Sequence, residues 1–348
     1  MPHPRRCGLK RTRKSCQLHL RAIWLRASCD DPGVKVGYAM LFLILLVAPW
    51  ANGQATAVGG LRERLQSVPD LQLNVTEVQV SPPIVLTGIS AVSADRDGHL
   101  YVIHRPETGD PIVELDRNGH LIRSWGKDLF KVPHSIRIDD AGNVWAIDAN
   151  QSIIFKFTPE GRQLLEIQVG GVPDPTREFC GATDIAFARN GHLFVTDGYC
   201  NARVLEYSAD GKKLNEWGSH GSGPGQFNLV HSIAIGPNGN LYVADRENGR
   251  VQWFNQSGKY LGEWDYGGQL HSLAFSKNGD LYIVLHPKEA PPEKDSYVVK
   301  IDPSDGEPLG KYPVRSHELS ITADGALLPA TRSSQLLILA PRKQSSYK

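Results

Sequence analysis

The segment GNLYVADRENGRVQWFNQSGKYLGEWD (residues 239–265) contains three short apolar stretches separated by glycine-containing polar turns. A fourth stretch, VHSIAI (230–235), ends three residues before it. Each stretch is about five residues long and rich in β-branched and aromatic residues, a composition typical of strands. The four together predict one small antiparallel sheet with short turns.

This unit is repeated six times along the chain. The second-strand cores of the six units are GHLYVIH, GNVWAID, GHLFVTD, GNLYVAD, GDLYIVL and GALLPAT. A period of roughly 40 to 50 residues with four strands per unit is typical of a β-propeller. The last unit lacks a fourth strand of its own, which LQLNVTEVQV (71–80) can supply from the N-terminal side. We therefore predict an all-β, six-bladed propeller over residues 71–341, closed by an N-terminal strand; the alternative is a stack of sheets that does not close.

The N-terminal region predicts export. Residues 1–35 are basic, and VGYAMLFLILLVAPW (36–50) has the length of a signal-peptide core. We expect a leader and signal peptide over 1–55, a mature N-terminal segment over 56–70 and a C-terminal tail over 342–348, with translation truly starting near Val34 or Val36. The protein is then secreted or periplasmic; an uncleaved membrane anchor is the alternative.

The charge and cysteine content limit the possible partners. Lys+Arg 38 against Asp+Glu 37 gives a net charge of +1, which offers no electrostatic reason for binding nucleic acid. Three cysteines precede the apolar segment, so an exported chain keeps only Cys180 and Cys200. Such a pair predicts a disulfide in an oxidising compartment. Two unrelated buried thiols are the alternative.

One position in the repeat points to the central channel. We call the residue eleven before the aromatic or leucine of each second strand the anchor residue, and the six are Ser90, His134, Thr183, His231, His271 and His317. His134, His231 and His317 belong to alternate blades, about 120° apart around the axis. Three imidazoles so placed can hold zinc with a coordination position left open. His271 weakens this interpretation, because repeat duplication alone could place histidine at four anchors.

A second repeat position follows each second strand, on the face of the propeller that carries the anchors. It holds Arg105, Ala149, Gly198, Arg246, His286 and Arg332. Arg105 and Arg246 can reach over the channel mouth beside Tyr199, and an arginine can clamp a carboxylate while a tyrosine near cations can act as a base. The alternative is that these are ordinary solvated loop residues.

Two segments carry a family resemblance. FCGATDIAFARNGHLFVTDGYCNARVLEYSADGKKLNEWG (179–218) and GSGPGQFNLVHSIAIGPNGNLYVADRENGRVQWF (221–254) resemble the lyase domain of the peptidylglycine α-amidating enzymes, the peptidyl-α-hydroxyglycine α-amidating lyase. DGYCNARV and VADRENGR are more specific than generic NHL-repeat sequence, and the similarity extends over roughly 85–341.

The resemblance implies a six-bladed propeller of NHL-like repeats that binds zinc through His134, His231 and His317. It implies a Cys180–Cys200 disulfide and a lyase reaction that splits a peptidyl-α-hydroxyglycine into a peptide amide and glyoxylate. The catalytic residues that it implies are Tyr199, Arg105 and Arg246. The partner would be a small peptide or α-hydroxy amide substrate, and the protein would be a monomer.

Some residues depart from the family pattern. Tyr242 and Trp253 replace a second disulfide, and Glu318 replaces an aspartate ligand of a structural calcium, so calcium is a weaker expectation than zinc. The family's copper monooxygenase has no counterpart in this sequence. A non-catalytic NHL propeller that binds a protein or peptide remains the main alternative. A lactonase-type hydrolase is disfavoured because its calcium channel is rich in carboxylates, whereas these anchors are rich in histidine.

Overall fold

Strands and turns account for nearly all of the described chain. The computed structural model describes residues 61–170, 176–288 and 296–342. Within these residues the single α-helix is α1 (Leu61–Gln66), and no helix is long and apolar enough to span a membrane. The predicted leader and signal peptide lie outside the described residues, as does most of the predicted tail.

The first three blades follow one another along the chain after strand β1 (Leu73–Val78). Blade one comprises β2 (Ala91–Ala94), β3 (Leu100–Ile103), β4 (Ile112–Leu115) and β5 (Leu121–Trp125). Blade two comprises β6 (Pro133–Ile138), β7 (Val144–Asp148), β8 (Ile153–Phe157) and β9 (Gln163–Gln168). Blade three comprises β10 (Ala182–Phe187), β11 (Leu193–Asp197), β12 (Arg203–Tyr207) and β13 (Lys213–Trp217).

A small parallel pair, β14 (Ser219–His220) and β15 (Gln226–Phe227), connects to the last three blades. Blade four comprises β16 (Val230–Ile235), β17 (Leu241–Asp245), β18 (Arg250–Phe254) and β19 (Tyr260–Asp265). Blade five comprises β20 (Gln269–Phe275), β21 (Leu281–His286), β22 (Tyr297–Ile301) and β23 (Pro308–Pro313). Blade six comprises β24 (Leu319–Ile321), β25 (Leu327–Pro329), β26 (Leu336–Pro341) and β1. The predicted six-bladed propeller is confirmed.

Burial changes systematically across each sheet. The second strand β7, with sequence VWAID, is buried at every residue because neighbouring blades cover both of its faces. The fourth strand β19, with sequence YLGEWD, alternates between half-buried and exposed residues because one of its faces meets solvent. The core therefore lies between blades, and the innermost strands are the most constrained.

Blade six is the least regular sheet. Strand β1 comes from the N-terminal side and pairs antiparallel with β26 over its whole length, with Val75 opposite Leu339. Strands β24 and β25 are only three residues long. Pro329, which lacks an N–H donor, ends β25. The anchor end of the blade is nevertheless held, because His317 N–H donates to the Ala330 carbonyl at 2.8 Å.

We predict that the interface between blades three and four contributes strongly to stability. Phe254 is fully buried there, so Phe254→Ala should lower the free energy of unfolding by about 3–5 kcal/mol. Leu261, which is 42% exposed on the outer strand of the same blade, provides the control, and Leu261→Ala should cost less than about 1 kcal/mol. Urea denaturation monitored by tryptophan fluorescence measures both. Equal losses would contradict the assigned core.

Candidate metal centre and active site

The anchor residues of blades two to five lie at irregularities of the first strands. The pairing register between first and second strands shifts at His134, Thr183, His231 and His271. A bulge of this kind leaves a residue unpaired and re-aims its side chain. The repeat therefore places an out-of-register side chain next to the axis in each of these blades.

Three of the anchor histidines meet at the axis. The ring centroids of His134 and His231 are 5.3 Å apart, and the His317 centroid lies 4.9 Å and 4.8 Å from them. One ring nitrogen from each lies within 4.8 Å of the others, and all three residues are buried. His271 does not belong to this group. The structure thus brings together the three histidines selected by blade alternation.

Each of the three imidazoles makes a hydrogen bond to the neighbouring blade through Nδ1. The contacts are His134 Nδ1 to Thr183 O (2.9 Å), His231 Nδ1 to His271 O (2.6 Å) and His317 Nδ1 to Ser90 O (3.4 Å). A carbonyl oxygen can only accept, so each Nδ1 carries the hydrogen. The anchors of blades one, three and five therefore contribute backbone carbonyls, which explains why His271 is present without joining the cluster.

The three Nε2 atoms have too few donors around them. Burial holds the pKa of each imidazole well below its usual value, so the rings are neutral and each Nε2 presents a lone pair. The Tyr199 hydroxyl lies 2.8 Å from His134 Nε2 and 3.2 Å from His231 Nε2. One hydroxyl has one hydrogen, and His317 Nε2 has no hydrogen-bond partner among the described residues. A divalent cation would satisfy all three lone pairs, and imidazole nitrogen is a preferred ligand of zinc.

Tyr199 is fixed by the loop that follows β11. The predicted Cys180–Cys200 disulfide is confirmed, with the two Cα atoms 4.6 Å apart. Phe179, next to that bridge, packs against the Tyr199 ring at 5.0 Å between centroids. Burial raises the pKa of Tyr199 to about 12, although the positive charge of nearby arginines, Arg246 first among them, opposes the rise.

Arg105 lies on the same side of the site as Tyr199. Its guanidinium carbon is 5.0 Å from the Phe179 ring centroid, and its Nε donates to Ser90 Oγ and to the Pro133 carbonyl. Its buried Nη2 has no hydrogen-bond partner in the described part of the chain. A buried guanidinium nitrogen without an acceptor is suited to an anionic ligand.

Arg246 is more fully engaged than Arg105. Its Nε lies 3.0 Å from Glu247 Oε1, and the Gln269 amide donates to the same carboxylate. Arg246 also lies close enough to Tyr199 to lower the pKa of the phenol. The structure therefore places all three predicted catalytic side chains around the histidine cluster, and their catalytic roles stay predictions.

A second ring of side chains lies one residue after the anchors. Asp184 and Glu318 belong to it, and Arg137 lies against both, with two 2.8 Å hydrogen bonds to Asp184 and a 3.4 Å contact with Glu318. Glu318 Oε1 is 3.3 Å from His134 Nδ1 but receives no hydrogen bond, because that hydrogen points to Thr183. A calcium ion here would have to share these carboxylates with Arg137. Calcium therefore stays a prediction for which this ring offers little support.

Several residues near the cluster were not predicted as site residues from the sequence. Arg332 and His286 occupy the same repeat position as Arg105 and Arg246, so the repeat alignment contained a signal for them. Arg315 and Phe179 lie outside that position, and their place near the cluster depends on loop geometry that the sequence pattern does not encode.

The chain is similar in sequence to the NHL repeat family and to peptide-amidating enzymes. The NHL repeat family matches residues 179–207 and 227–254, in blades three and four. The chain is 35% identical over 222 residues to the peptidyl-glycine alpha-amidating monooxygenase of Mus musculus, covering 55% of this chain and 22% of the mouse protein. It is 31% identical over 293 residues to peptidyl-alpha-hydroxyglycine alpha-amidating lyase 1 of Drosophila melanogaster, covering 70% of this chain and 54% of the fly protein. The chain is a relative of the amidating lyases.

The chain thus spans about a fifth of the length of the mouse protein and about half of the length of the fly protein. Among solved structures, virginiamycin B lyase from Staphylococcus aureus superimposes with a TM-score of 0.56 at 14% identity, covering 77% of this chain and 99% of that one. At this level of identity the likeness extends to the fold alone.

We predict that Gly198, which precedes Tyr199, cannot carry a side chain without a shift of the backbone. A Cβ atom at this position would lie 1.7 Å from the Val230 carbonyl oxygen, immediately before His231. Gly198→Ala should therefore lower the free energy of unfolding by about 1–3 kcal/mol, because backbone must move. At the control position Gly223, the nearest atom is the end of the flexible Gln226 side chain at 3.0 Å, so Gly223→Ala should be nearly neutral. Urea denaturation of both variants tests this, and equal stabilities would refute the close approach.

Proposed function

We propose that the protein is an exported zinc lyase. It would cleave the C–N bond of a peptidyl-α-hydroxyglycine, or of a related α-hydroxy amide, to give an amide and glyoxylate. The observation that carries the proposal is the combination of three inward-facing Nε2 lone pairs, a tyrosine hydroxyl among them and arginines around them, in a relative of named amidating lyases.

His134, His231 and His317 would hold the zinc. When bound, the metal would supply Lewis-acid chemistry that favours loss of the substrate hydroxyl proton. The chain's contribution is to keep the three rings neutral and oriented through the backbone carbonyls of the neighbouring blades, which is the usual function of outer partners of metal-binding histidines.

Tyr199 would move the proton. Its hydroxyl lies at the histidine cluster and would stand within reach of a hydroxyl placed there. Loss of the hydroxyl proton lets the oxygen's electron pair form the carbonyl of glyoxylate while the C–N bond breaks. The departing amide nitrogen takes up a proton, which the Tyr199 hydroxyl can return. The nearby arginines offset part of the rise in pKa that burial causes, and a cation held by the histidines would favour the phenolate further.

The arginines would bind the carboxylate of the substrate. The buried, unpartnered Nη2 of Arg105 and the guanidinium of Arg246 are on the rim of the same site. A carboxylate bound by arginine fixes the position of the carbon whose bond to nitrogen breaks. These residues fit a small peptide-type substrate, in keeping with the names of the relatives.

Export is supported by the disulfide. Disulfides persist in oxidising compartments, and Cys180–Cys200 belongs to the loop that carries Tyr199. The predicted signal segment, residues 36–50, lies outside the described residues, so the proposal of a secreted or periplasmic location depends otherwise on the sequence argument.

We predict glyoxylate release from a short peptide that ends in α-hydroxyglycine. Tyr199→Phe should reduce kcat about 10²–10⁴-fold with little change in KM, because its proton transfer occurs only during the reaction. Chelation of the metal should abolish release. Time courses of glyoxylate, with a coupled peptide-amide assay by mass spectrometry, measure both effects.

The control variant is Tyr312→Phe, which should retain the wild-type kcat. Tyr312 is half-buried in the outer strand β23. If zinc-loaded wild type releases no glyoxylate above the uncatalysed rate, the lyase proposal falls. If that protein still binds the peptide, a non-catalytic NHL propeller becomes the better account.

A further inference from the structure

A separate pocket opens beside His317. It has a volume of about 160 Å³ and is lined by residues of blades four, five and six. Its lining comprises Arg246, Gln269, His271, His286, Arg315, Ser316, His317 and Arg332. No acidic side chain is among these residues. The pocket is thus a small cationic chamber that shares a wall with the candidate metal centre.

Two buried histidines line this chamber and leave ring nitrogens unpaired. His271 and His286 stack with ring centroids 4.0 Å apart, and they are 7% and 5% exposed. Neither ring nitrogen of His271 has a hydrogen-bond partner among the described residues, and Nδ1 of His286 has none either. Since buried polar groups are nearly always hydrogen-bonded, three unpaired nitrogens in one chamber point to a ligand.

The hydrogen-bond pattern limits what that ligand can be. His286 Nε2 donates to the Ser316 carbonyl at 2.8 Å, so its Nδ1 is left as an acceptor when the ring is neutral. A neutral His271 offers one N–H donor and one acceptor in either tautomer. The two rings together therefore offer one N–H donor and two nitrogen acceptors to the chamber. A small ligand that carries both hydrogen-bond donors and acceptors would fit this arrangement.

Two arginines supply charge without a counter-charge. Arg315 and Arg332 are exposed at the rim and form no ion pair with the residues that the structure describes, whereas Arg246 is paired with Glu247. Arg332 has a φ of 55°, a left-handed backbone conformation that is uncommon for a residue with a side chain. Desolvation of the Arg332 guanidinium lowers its pKa, Tyr199 opposes this change, and the positive charges of Arg105, Arg246 and Arg315 lower the pKa further. A bound anion would relieve this mutual repulsion.

We propose that this chamber is a carboxylate subsite for a small α-hydroxy acid unit, with charge supplied by Arg315 and Arg332 and an N–H donor supplied by His271. The inference rests on the proposed function, since the unit is the part of the substrate that becomes glyoxylate, and it assigns the carboxylate to Arg315 and Arg332 instead of Arg105. Arg105 then becomes a positioning residue, which packs on Phe179 and through it on Tyr199.

Isothermal titration with glycolate tests the subsite directly. Glycolate is a two-carbon α-hydroxy acid, and glycolamide is its uncharged counterpart. Purified wild type, both as isolated and after chelation of metal, should bind glycolate and should bind glycolamide at least tenfold more weakly. Arg315→Gln and Arg332→Gln should each weaken glycolate binding about tenfold or more, because a charged hydrogen-bond partner is lost.

Two further variants separate a binding role from general damage. Arg96→Gln removes an exposed arginine, paired with Asp140, at the far end of the first strand of blade one, and it should bind glycolate like wild type. His271→Phe keeps an aromatic ring of similar shape but removes the N–H, and it should weaken binding. Circular dichroism should show all four variants folded. In turnover assays Arg332→Gln should raise KM at nearly unchanged kcat, whereas Arg105→Ala should lower kcat.

The proposal is overturned if wild type binds glycolate no better than glycolamide, or if Arg315→Gln and Arg332→Gln bind it as Arg96→Gln does. The outcome is independent of turnover. If glycolate binding behaves as expected but no glyoxylate is ever released, the lyase function fails while the subsite stands. If glyoxylate is released and these variants have wild-type KM, the subsite fails while the lyase function stands.

Discussion

The site depends on a hydrogen bond that is made three times between neighbouring blades. In each case a buried imidazole donates from Nδ1 to the backbone carbonyl of the next anchor residue. This contact fixes the tautomer and leaves the lone pair of Nε2 directed into the centre. The orientation of the histidines therefore depends on the packing of the blades. Donor and acceptor belong to different sheets, so they stay aligned only while the blades remain packed.

The surroundings of the cluster divide into two halves. On one side Phe179 connects Tyr199 with Arg105, and the disulfide and the close approach of Gly198 to Val230 hold the loop in place. On the other side the chamber contains Arg315 and Arg332, which form no ion pair with the described residues, beside Arg246, which is paired with Glu247. A group that reacts through an anionic transition state would be stabilised from both halves, since fixed charges in a partly dehydrated site act more strongly than in water.

The fold could be predicted from the sequence because its signals are local and repeated. Apolar strands of similar length and a spacing of roughly 40 to 50 residues recur from blade to blade, and most second strands follow an Asp/Asn-Gly turn. Alternation between blades separates His134, His231 and His317 from the other anchors. The sequence did not explain His271, because its contribution to the cluster is a backbone carbonyl, which every residue possesses. Arg315 was also missed, since it lies in a loop outside the repeat position and reaches the chamber only through the packing of blades five and six.

The most direct test of this account is the metal content of the purified protein and its histidine variants. Inductively coupled plasma mass spectrometry after dialysis should find about one zinc per wild-type chain. His134→Ala, His231→Ala and His317→Ala should each lose most of it, whereas His271→Ala should keep it, because the backbone carbonyl that orients His231 remains. Loss of zinc from His271→Ala to the same extent as from His231→Ala, or a wild-type protein that holds no zinc after loading, would contradict the account.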